Sequence, residues 1–337
     1  MKKTPTASTV RKGVRNATAI PAEFAGDTVV WSAWLYYEER LTQDEIAHRI
    51  GVSRASVNNL LQTARDAGIV TITVAPEHLR TVGLARAICE RFDIADCLVI
   101  PDDNGRRPGY ERVGYAGARL LAERLAPNDV LGVSWGRTVL ALSSALPPKV
   151  LPGVSVVQVT GSAMGTYRFS AELCASNIAN RIGGRCIHLH APGIVSRPDV
   201  KNVLMHEPSL IEQFRIIGTC NRIVFGVGNV ASSSTAFDSG FLSEEEAAPY
   251  LARGAVAVLA GRFVDVNGRP VLGEIDDRLI GMTLEAICAV PDRICVAAGE
   301  AKAIAIRALL AGGFISSLVT DQLTAAALLE GPGPLAT

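Results

Sequence analysis

Apolar residues between Asp27 and Val74 recur first at helical spacing and then, briefly, at every second position. Trp31, Trp34, Leu35 and Leu41, with Tyr36 and Tyr37 beside them, predict a first helix over roughly residues 28–40 that buries one face. The next stretch, LTQDEIAHRIGVSRASVNNLLQTARDAGIV, holds two shorter helices with their own start and stop signals. Thr42 can cap the first of these, and Glu45, three residues on, can reach back to the Thr42 amide. Ile46, Ala47 and Ile50 form its inner face, Ala47 is small enough to admit a close neighbour, and Gly51 permits a left-handed turn. Val52 fills the corner and Ser53 caps the following helix, in which Val57, Leu60 and Leu61 point inward until Gly68 stops it. Ile69 to Val74 alternates β-branched and hydroxyl residues, which predicts a short strand acting as wing or linker.

Residues 78 to 93 place Leu79, Val82, Ala85, Ile88 and Phe92 on one helical stripe, suited to joining two parts of the chain or to pairing subunits. From Cys97 the pattern changes. The strand-like runs CLVIP, VLGVS, VSVVQVTGS, CIHLH, RIVFGVG, AVAVLA and ICVAAG are separated by helical stretches, among them Tyr110–Leu125 and Thr138–Leu146. This alternation predicts an α/β domain with a largely parallel sheet. The expected organisation is a basic tail over 1–26, a helix-turn-helix domain over 27–76, a linker or oligomerisation helix over 77–96 and a ligand-binding domain over 97–332.

Length and charge sharpen this picture. A chain of 337 residues suits one large domain and a small one. No uncharged apolar run approaches the roughly 18 residues of a membrane span, and the basic start lacks the apolar segment of a secretory signal. The seven cysteines are scattered with no CxxC pair, so reduced thiols in cytoplasm are expected, with neither a disulfide framework nor a zinc site. Net charge is zero, which leaves any attraction to nucleic acid to local charge.

The chemistry of the second short helix points to DNA. A helix-turn-helix presents such a helix to the major groove, where Arg reads guanine and Asn reads adenine. Arg54, Ser56, Asn58 and Asn59 are therefore the base-reading or phosphate-contacting candidates, with Thr42 and Ser53 at the helix starts. Arg49, Arg65 and the tail residues Lys2, Lys3, Arg11, Lys12 and Arg15 can add phosphate attraction. Double-stranded operator DNA is the expected partner.

A second chemistry lies downstream. DVLGVSWGRT runs from a buried strand through a glycine- and hydroxyl-containing loop into a helix, an arrangement that can bind an anion. Ser134 and Thr138 offer hydroxyls, Arg137 offers charge, and Gly132 and Gly136 allow close backbone approach, with Trp135 between them. Gly161-Ser162, Gly226 and Gly228, and Gly299-Glu300 also follow apolar strands, and ligands of open α/β sheets sit at strand carboxyl ends. Lys302, the one lysine after Lys201, can meet a phosphate or carboxylate. His188 and His190 share a strand face but lack a third clustered ligand, so no metal is assigned. Glu244 to Glu246 read as a solvated first helical turn behind Ser243, and Asp265, Asp276 and Asp277 stay open between structural and ligand roles.

With these residues in view, the chain resembles the SorC family of sugar-binding transcriptional regulators. The resemblance runs from AWLYYEERLTQDEIAHRIGVSRASVNNLL through GVSWGRT, GAVAVLAGRFVDVNGRPV, RLIGMTLEAI and VAAGEAKAIAIRALLAGGFISSLVTDQLTAAALL, in the family's order and nearly to the end of the chain. It implies a winged helix-turn-helix domain and a Rossmann-like effector domain similar to sugar-phosphate isomerases and deaminases, used for binding rather than turnover and without a cofactor. By matching motifs, Ser134 to Thr138 look like the effector-phosphate loop, Gly161 and Ser162 a second ligand loop, and Lys302 the basic partner. Asp265 falls in an FxDxxG-like segment, and Ala298 stands where many relatives carry glycine. The expected effector is a sugar phosphate or a polyol, and the expected assembly a homodimer or homotetramer. The rival expectation is an active sugar-phosphate isomerase or deaminase with a DNA-binding appendage.

Overall fold

The structure is a computed structural model that describes residues 20–70, 76–163, 169–230, 237 and 240–330. It divides into two compact units, Met1–Ala75 and Pro76–Thr337.

In the first unit the capping signals do what they promise. Asp27 accepts from the amides of Val29 (2.7 Å) and Val30 (3.2 Å) and starts α1, Thr28–Tyr37. Thr42 starts α2, Gln43–Ile50, through a complete capping box with Glu45, and Gly51 ends it at φ 78°. Ser53 starts α3, Arg54–Asp66, by accepting from the Ser56 amide at 3.1 Å. Trp31, Leu35, Ile46, Ala47, Ile50, Val57 and Leu61 close into one core. Trp34 departs from the expected stripe. Trp31 and Leu35, one turn apart, take the buried face, which leaves Trp34 47% exposed against Phe24. Ile69 and Val70 form a bend rather than a strand, and the rest of the expected wing strand, like the tail residues Lys2 to Arg15, lies outside the described residues.

The second unit opens with α4, Pro76–Phe92, and alternates thereafter. Its strands are β1 Asp96–Ile100, β2 Val130–Val133, β3 Ser155–Gln158, β4 Arg185–Ile187, β5 Arg222–Phe225, β6 Gly228–Asn229, β7 Ala255–Leu259, β8 Arg262–Asp265, β9 Asp292–Val296 and β10 Ser317–Asp321. Between them run α5 Gly109–Arg124, α6 Arg137–Ala145, α7 Ala171–Ile182, α8 Pro198–Met205, α9 Pro208–Ile217, α10 Glu244–Ala252, α11 Leu284–Ala289, α12 Ala303–Ala311 and α13 Gln322–Glu330. Seven strands form one sheet in the order β1-β10-β9-β5-β2-β3-β4, and every adjacent pair is parallel. Apolar clusters cover both faces, as the near-continuous Val, Ile and Leu runs require. A small antiparallel sheet, β6-β7-β8, packs its own apolar cluster around Tyr250 and Phe263.

Two features of this sheet position the site. From β2 the chain proceeds outward through β3 and β4, and then returns to place β5 on the other flank of β2. The carboxyl ends of β2 and β5 therefore diverge and leave a crevice, the usual ligand position in such sheets. At the opposite end an ion network ties the strand starts together. Arg222 pairs with Asp129 at 2.8 Å and also with Asp292, while Arg124 reaches Asp292 at 2.9 Å and Asp96 at 2.6 Å.

Candidate effector site and DNA-binding face

On the first unit, α3 buries Val57, Leu61 and Ala64 and leaves Arg54, Asn58 and Asn59 exposed. The Asn58 and Asn59 side chains make no hydrogen bond within the described residues, so both amides are open to a partner. Arg54 is held loosely, 3.5 Å from Asp44 with both side chains mostly exposed. Ser56 shares its hydroxyl with Ser53 at 2.9 Å. Thr42 is occupied by the capping box, Arg49 pairs with Glu39 at 2.6 Å, and Arg65 binds Gln62 at 2.7 Å and Tyr37 at 3.4 Å. Any phosphate contact by Arg49 or Arg65 therefore competes with an existing partner.

On the second unit, a cavity of about 730 Å³ opens at the strand carboxyl ends. The loop after β2 contributes Ser134, Trp135, Gly136, Arg137 and Thr138, that after β5 Gly226 and Gly228, and that after β9 Gly299, Glu300 and Lys302. Gly136 stands at φ 133° directly before α6, and no side chain caps that helix. The positive end of its dipole therefore has no side-chain cap of its own. Arg137 stacks over Phe169 at 5.8 Å, and Trp135 packs on Phe241 at 5.3 Å. Lys302 is half-buried and has no hydrogen-bond or ion-pair partner within the described residues. Burial, reinforced by the Arg137 charge, pulls its ammonium below the usual lysine range. Two neighbouring cations, two hydroxyls and an uncapped helix start are together suited to an anion.

Other sequence candidates stand elsewhere. Gly132 lies within β2, where a Cβ would come 2.8 Å from Val159, so its role is strand packing rather than ligand approach. Gly161 and Ser162 do not line the cavity. A Cβ on Gly161 would meet the Pro192 carbonyl at 2.5 Å, and Ser162 donates to the Glu172 carboxylate. Asp265 also lies away from it and closes the turn after β8 by accepting from Asn267 (2.9 Å) and Arg269 (2.8 Å) amides. Asp276 is a packing carboxylate, bound by Tyr250 at 3.0 Å and by Arg262 at 3.3 Å. β4 stops at Ile187, which leaves His188 and His190 in irregular chain; no cluster of metal ligands occurs among the described residues. Glu246 and Ser243 form the capping box that starts α10.

One wall was not foreseen. The loop after β1 and the start of α5 supply Asp102, Asp103, Asn104, Arg107, Tyr110 and Arg112, and Asp321 closes the floor. Arg112 pairs with Asp103 at 3.0 Å and Arg107 reaches it at 3.8 Å. Asp321 accepts from the Gly299 amide at 3.1 Å and from Thr324 at 2.8 Å, fastening the β9 loop to α13. The sequence signal existed: Pro101, Gly105 and Pro108-Gly109 mark another strand-loop-helix junction.

A helix-turn-helix with an open polar helix, joined in one chain to an α/β unit with a ligand cavity at its switch point, defines a ligand-responsive transcription regulator. Residues 77–330 match the sugar-binding domain family and residues 35–71 the winged helix-turn-helix DNA-binding family. The chain is 33% identical to the uncharacterized transcriptional regulator YjhU of Escherichia coli over 91% of its length and 95% of that protein's. It is 31% identical to the deoxyribonucleoside regulator of Bacillus subtilis over 89% of its length and 96% of that protein's. The full-length sorbitol operon regulator SorC of Klebsiella pneumoniae superposes with a TM-score of 0.70 at 25% identity, over 90% of this chain and 98% of that one. The chain belongs to the SorC family of sugar-binding transcriptional regulators, whose members are regulators rather than enzymes. No helix among the described residues is long and apolar enough to cross a membrane.

Proposed function

We propose that the protein regulates a carbohydrate or polyol catabolic operon in the cytoplasm, as a homodimer or homotetramer whose grip on its operator depends on a sugar phosphate held in the cavity. Arg54, Ser56, Asn58 and Asn59 read bases or contact phosphates, and Thr42, Arg49, Ser53 and Arg65 flank them on the DNA backbone. The effector phosphate sits on the amides of Gly136 to Thr138, with Ser134, Thr138, Arg137 and Lys302 as donors and Trp135, Gly226, Gly228, Gly299 and Glu300 around it. The observation that carries this reading is the convergence of Arg137 and Lys302 on an uncapped helix start inside a cavity of about 730 Å³. The relatives named for deoxyribonucleosides and for sorbitol support a carbohydrate-derived effector.

Effector control requires unequal affinity for two arrangements of the molecule, typically by roughly 1–3 kcal/mol. Thermal denaturation against a panel of pentose, hexose and polyol phosphates and their unphosphorylated parents tests the cavity. A stabilising phosphate ester that loses its effect in Arg137→Ala is the expected result, since a ligand present at 100 times its Kd stabilises by about 2.7 kcal/mol. Stabilisation by the parent polyols alone would reject the phosphate assignment.

A further inference from the structure

The phosphate corner uses only part of the cavity. Ser134, Arg137, Thr138 and Lys302 gather around the loop into α6, and the remaining polar side chains are of a different kind. Asp102 and Asn104 reach the cavity from the loop after β1, Asn229 from β6 and Glu300 from the loop after β9. The side chains of these four make no hydrogen bond or ion pair among the described residues. They sit on neighbouring segments. A Cβ on Gly109, where the β1 loop ends, would stand 3.4 Å from the Ala298 side chain, so that loop abuts the one carrying Glu300. The turn Glu300–Lys302 packs in addition against β6. In a 3₁₀ turn, residues two apart point about 120° away from each other, and no ion pair joins Glu300 to Lys302. The ionisable neighbours acting on Lys302 are Arg137 and Cys295, with neither Asp102 nor Glu300 among them. Beyond the phosphate corner the lining carries four carboxylates, Asp102, Asp103, Glu300 and Asp321, against two guanidiniums. Both guanidiniums, Arg107 and Arg112, turn to Asp103, at 3.8 Å and 3.0 Å.

We infer that Asp102 and Glu300, with Asn104 and Asn229 beside them, select the uncharged end of the effector by accepting hydrogen bonds from its hydroxyls and excluding a second anionic group. This selectivity rests on the effector reading above and narrows it to phosphate monoesters of polyhydroxylated molecules, away from bisphosphates and phosphorylated sugar acids. An ionised carboxylate offers only acceptor sites, which a hydroxyl fills and a second phosphate dianion does not. Such a dianion would meet like charge in a partly enclosed site, where repulsion is far stronger than in bulk water. The amides of Asn104 and Asn229 both donate and accept, which suits hydroxyls of either orientation. Discrimination thus comes from a repulsive element as much as from an attractive one. Both carboxylates are exposed and unpaired, so exchanging them leaves the fold's own contacts intact.

Calorimetric titration of the full chain with matched probes tests the selectivity: glucose, fructose and ribose monophosphates, their bisphosphates, 6-phosphogluconate, and inorganic phosphate. The wild-type protein is expected to bind at least one sugar monophosphate, and to bind the bisphosphate or acid counterpart about tenfold more weakly or worse. Asp102→Asn and Glu300→Gln, which remove charge and keep shape, should each narrow that preference severalfold, and the double variant D102N/E300Q should erase it. Inorganic phosphate, which occupies the α6 corner alone, should change far less than the bisphosphate in the same variants. Circular dichroism and the thermal midpoint accompany each variant. Equal or tighter binding of bisphosphates by the wild type, a preference that D102N/E300Q leaves intact, or binding of inorganic phosphate without any sugar ester would overturn this assignment and leave the phosphate corner standing. Silence toward inorganic phosphate and every ester would instead reject the effector reading, and this selectivity with it.

Discussion

Lys302 is a cation kept where a cation is uncomfortable. Burial and the neighbouring Arg137 hold its pKa below the ordinary value, and no described side chain neutralises it. A bound phosphate favours the charged form and raises the pKa again, so binding should take up protons and weaken as pH rises through the depressed free value. Calorimetric titration in buffers of different ionisation enthalpy reads this directly. Net uptake that appears as pH rises toward the ordinary lysine range and vanishes in Lys302→Met is expected; identical apparent enthalpies in all buffers across that whole range would contradict it. Asp129 shows the opposite case. Burial pushes its carboxyl up, but bonds from the Ala126 amide, Arg222 and Asn221 outweigh it and hold the pKa below the usual range. A depressed carboxylate contributes stability that is complete above the unfolded value of about 3.9 and is lost as pH falls through the folded one. Asp129→Asn should therefore cost about 2 kcal/mol at neutral pH, from lost charged hydrogen bonds, and the deficit should shrink toward pH 2. A deficit independent of pH in urea denaturation would refute the argument.

Legibility differed among residues for a physical reason. Ser134 to Thr138 and Lys302 announced themselves by lying where an apolar strand meets a helix, because that junction fixes which way the loop opens. Gly132 and Gly161 carried the same local mark, yet their glycines answer to Val159 and Pro192, partners that only the tertiary structure supplies. Asp102 to Arg112 were missed because β1 reaches the crevice side of the sheet through its pairing with β10, more than two hundred positions away in sequence.

At the scale of elements, the first unit was the most readable part because its information is local. Thr42 with Glu45, Gly51 and Ser53 each specify a boundary within a few residues, and all three boundaries occur where expected. Removing the cap hydroxyl in Thr42→Ala should lower stability by about 1 kcal/mol, measurable as a shift of the urea midpoint. On α3 the exposed groups separate by chemistry. Asn58→Ala should cost about 1–3 kcal/mol on the cognate operator and little on random DNA, since an amide that reads a base carries discrimination. Arg54→Ala should instead reduce the slope of affinity against salt if its contact is to a phosphate. Equal losses on cognate and random sequence for Asn58→Ala would show that this helix does not read bases. Trp34 escaped the pattern because helical spacing fixes a stripe but not its centre; Trp31 and Leu35 fill the core and turn Trp34 outward.

Over the whole molecule, alternation of apolar strands and helices was enough to announce a parallel sheet, since strands covered on both faces cannot alternate polar with apolar. The order β1-β10-β9-β5-β2-β3-β4 was beyond reach of the pattern, and that order is what creates the crevice. One chain thus carries an open polar helix in one compact unit and an anion-ready cavity in the other. Their coupling is the central claim, and by linkage it must be reciprocal: an effector that changes DNA affinity has its own affinity changed by DNA to the same factor. The most direct test is to titrate the stabilising sugar phosphate against the protein bound to its own promoter fragment, and to repeat the titration with Lys302→Met. The account predicts that the wild-type operator dissociation constant shifts by about 5- to 150-fold while the variant's stays fixed. Operator affinity unmoved by any ligand that occupies the cavity would contradict it.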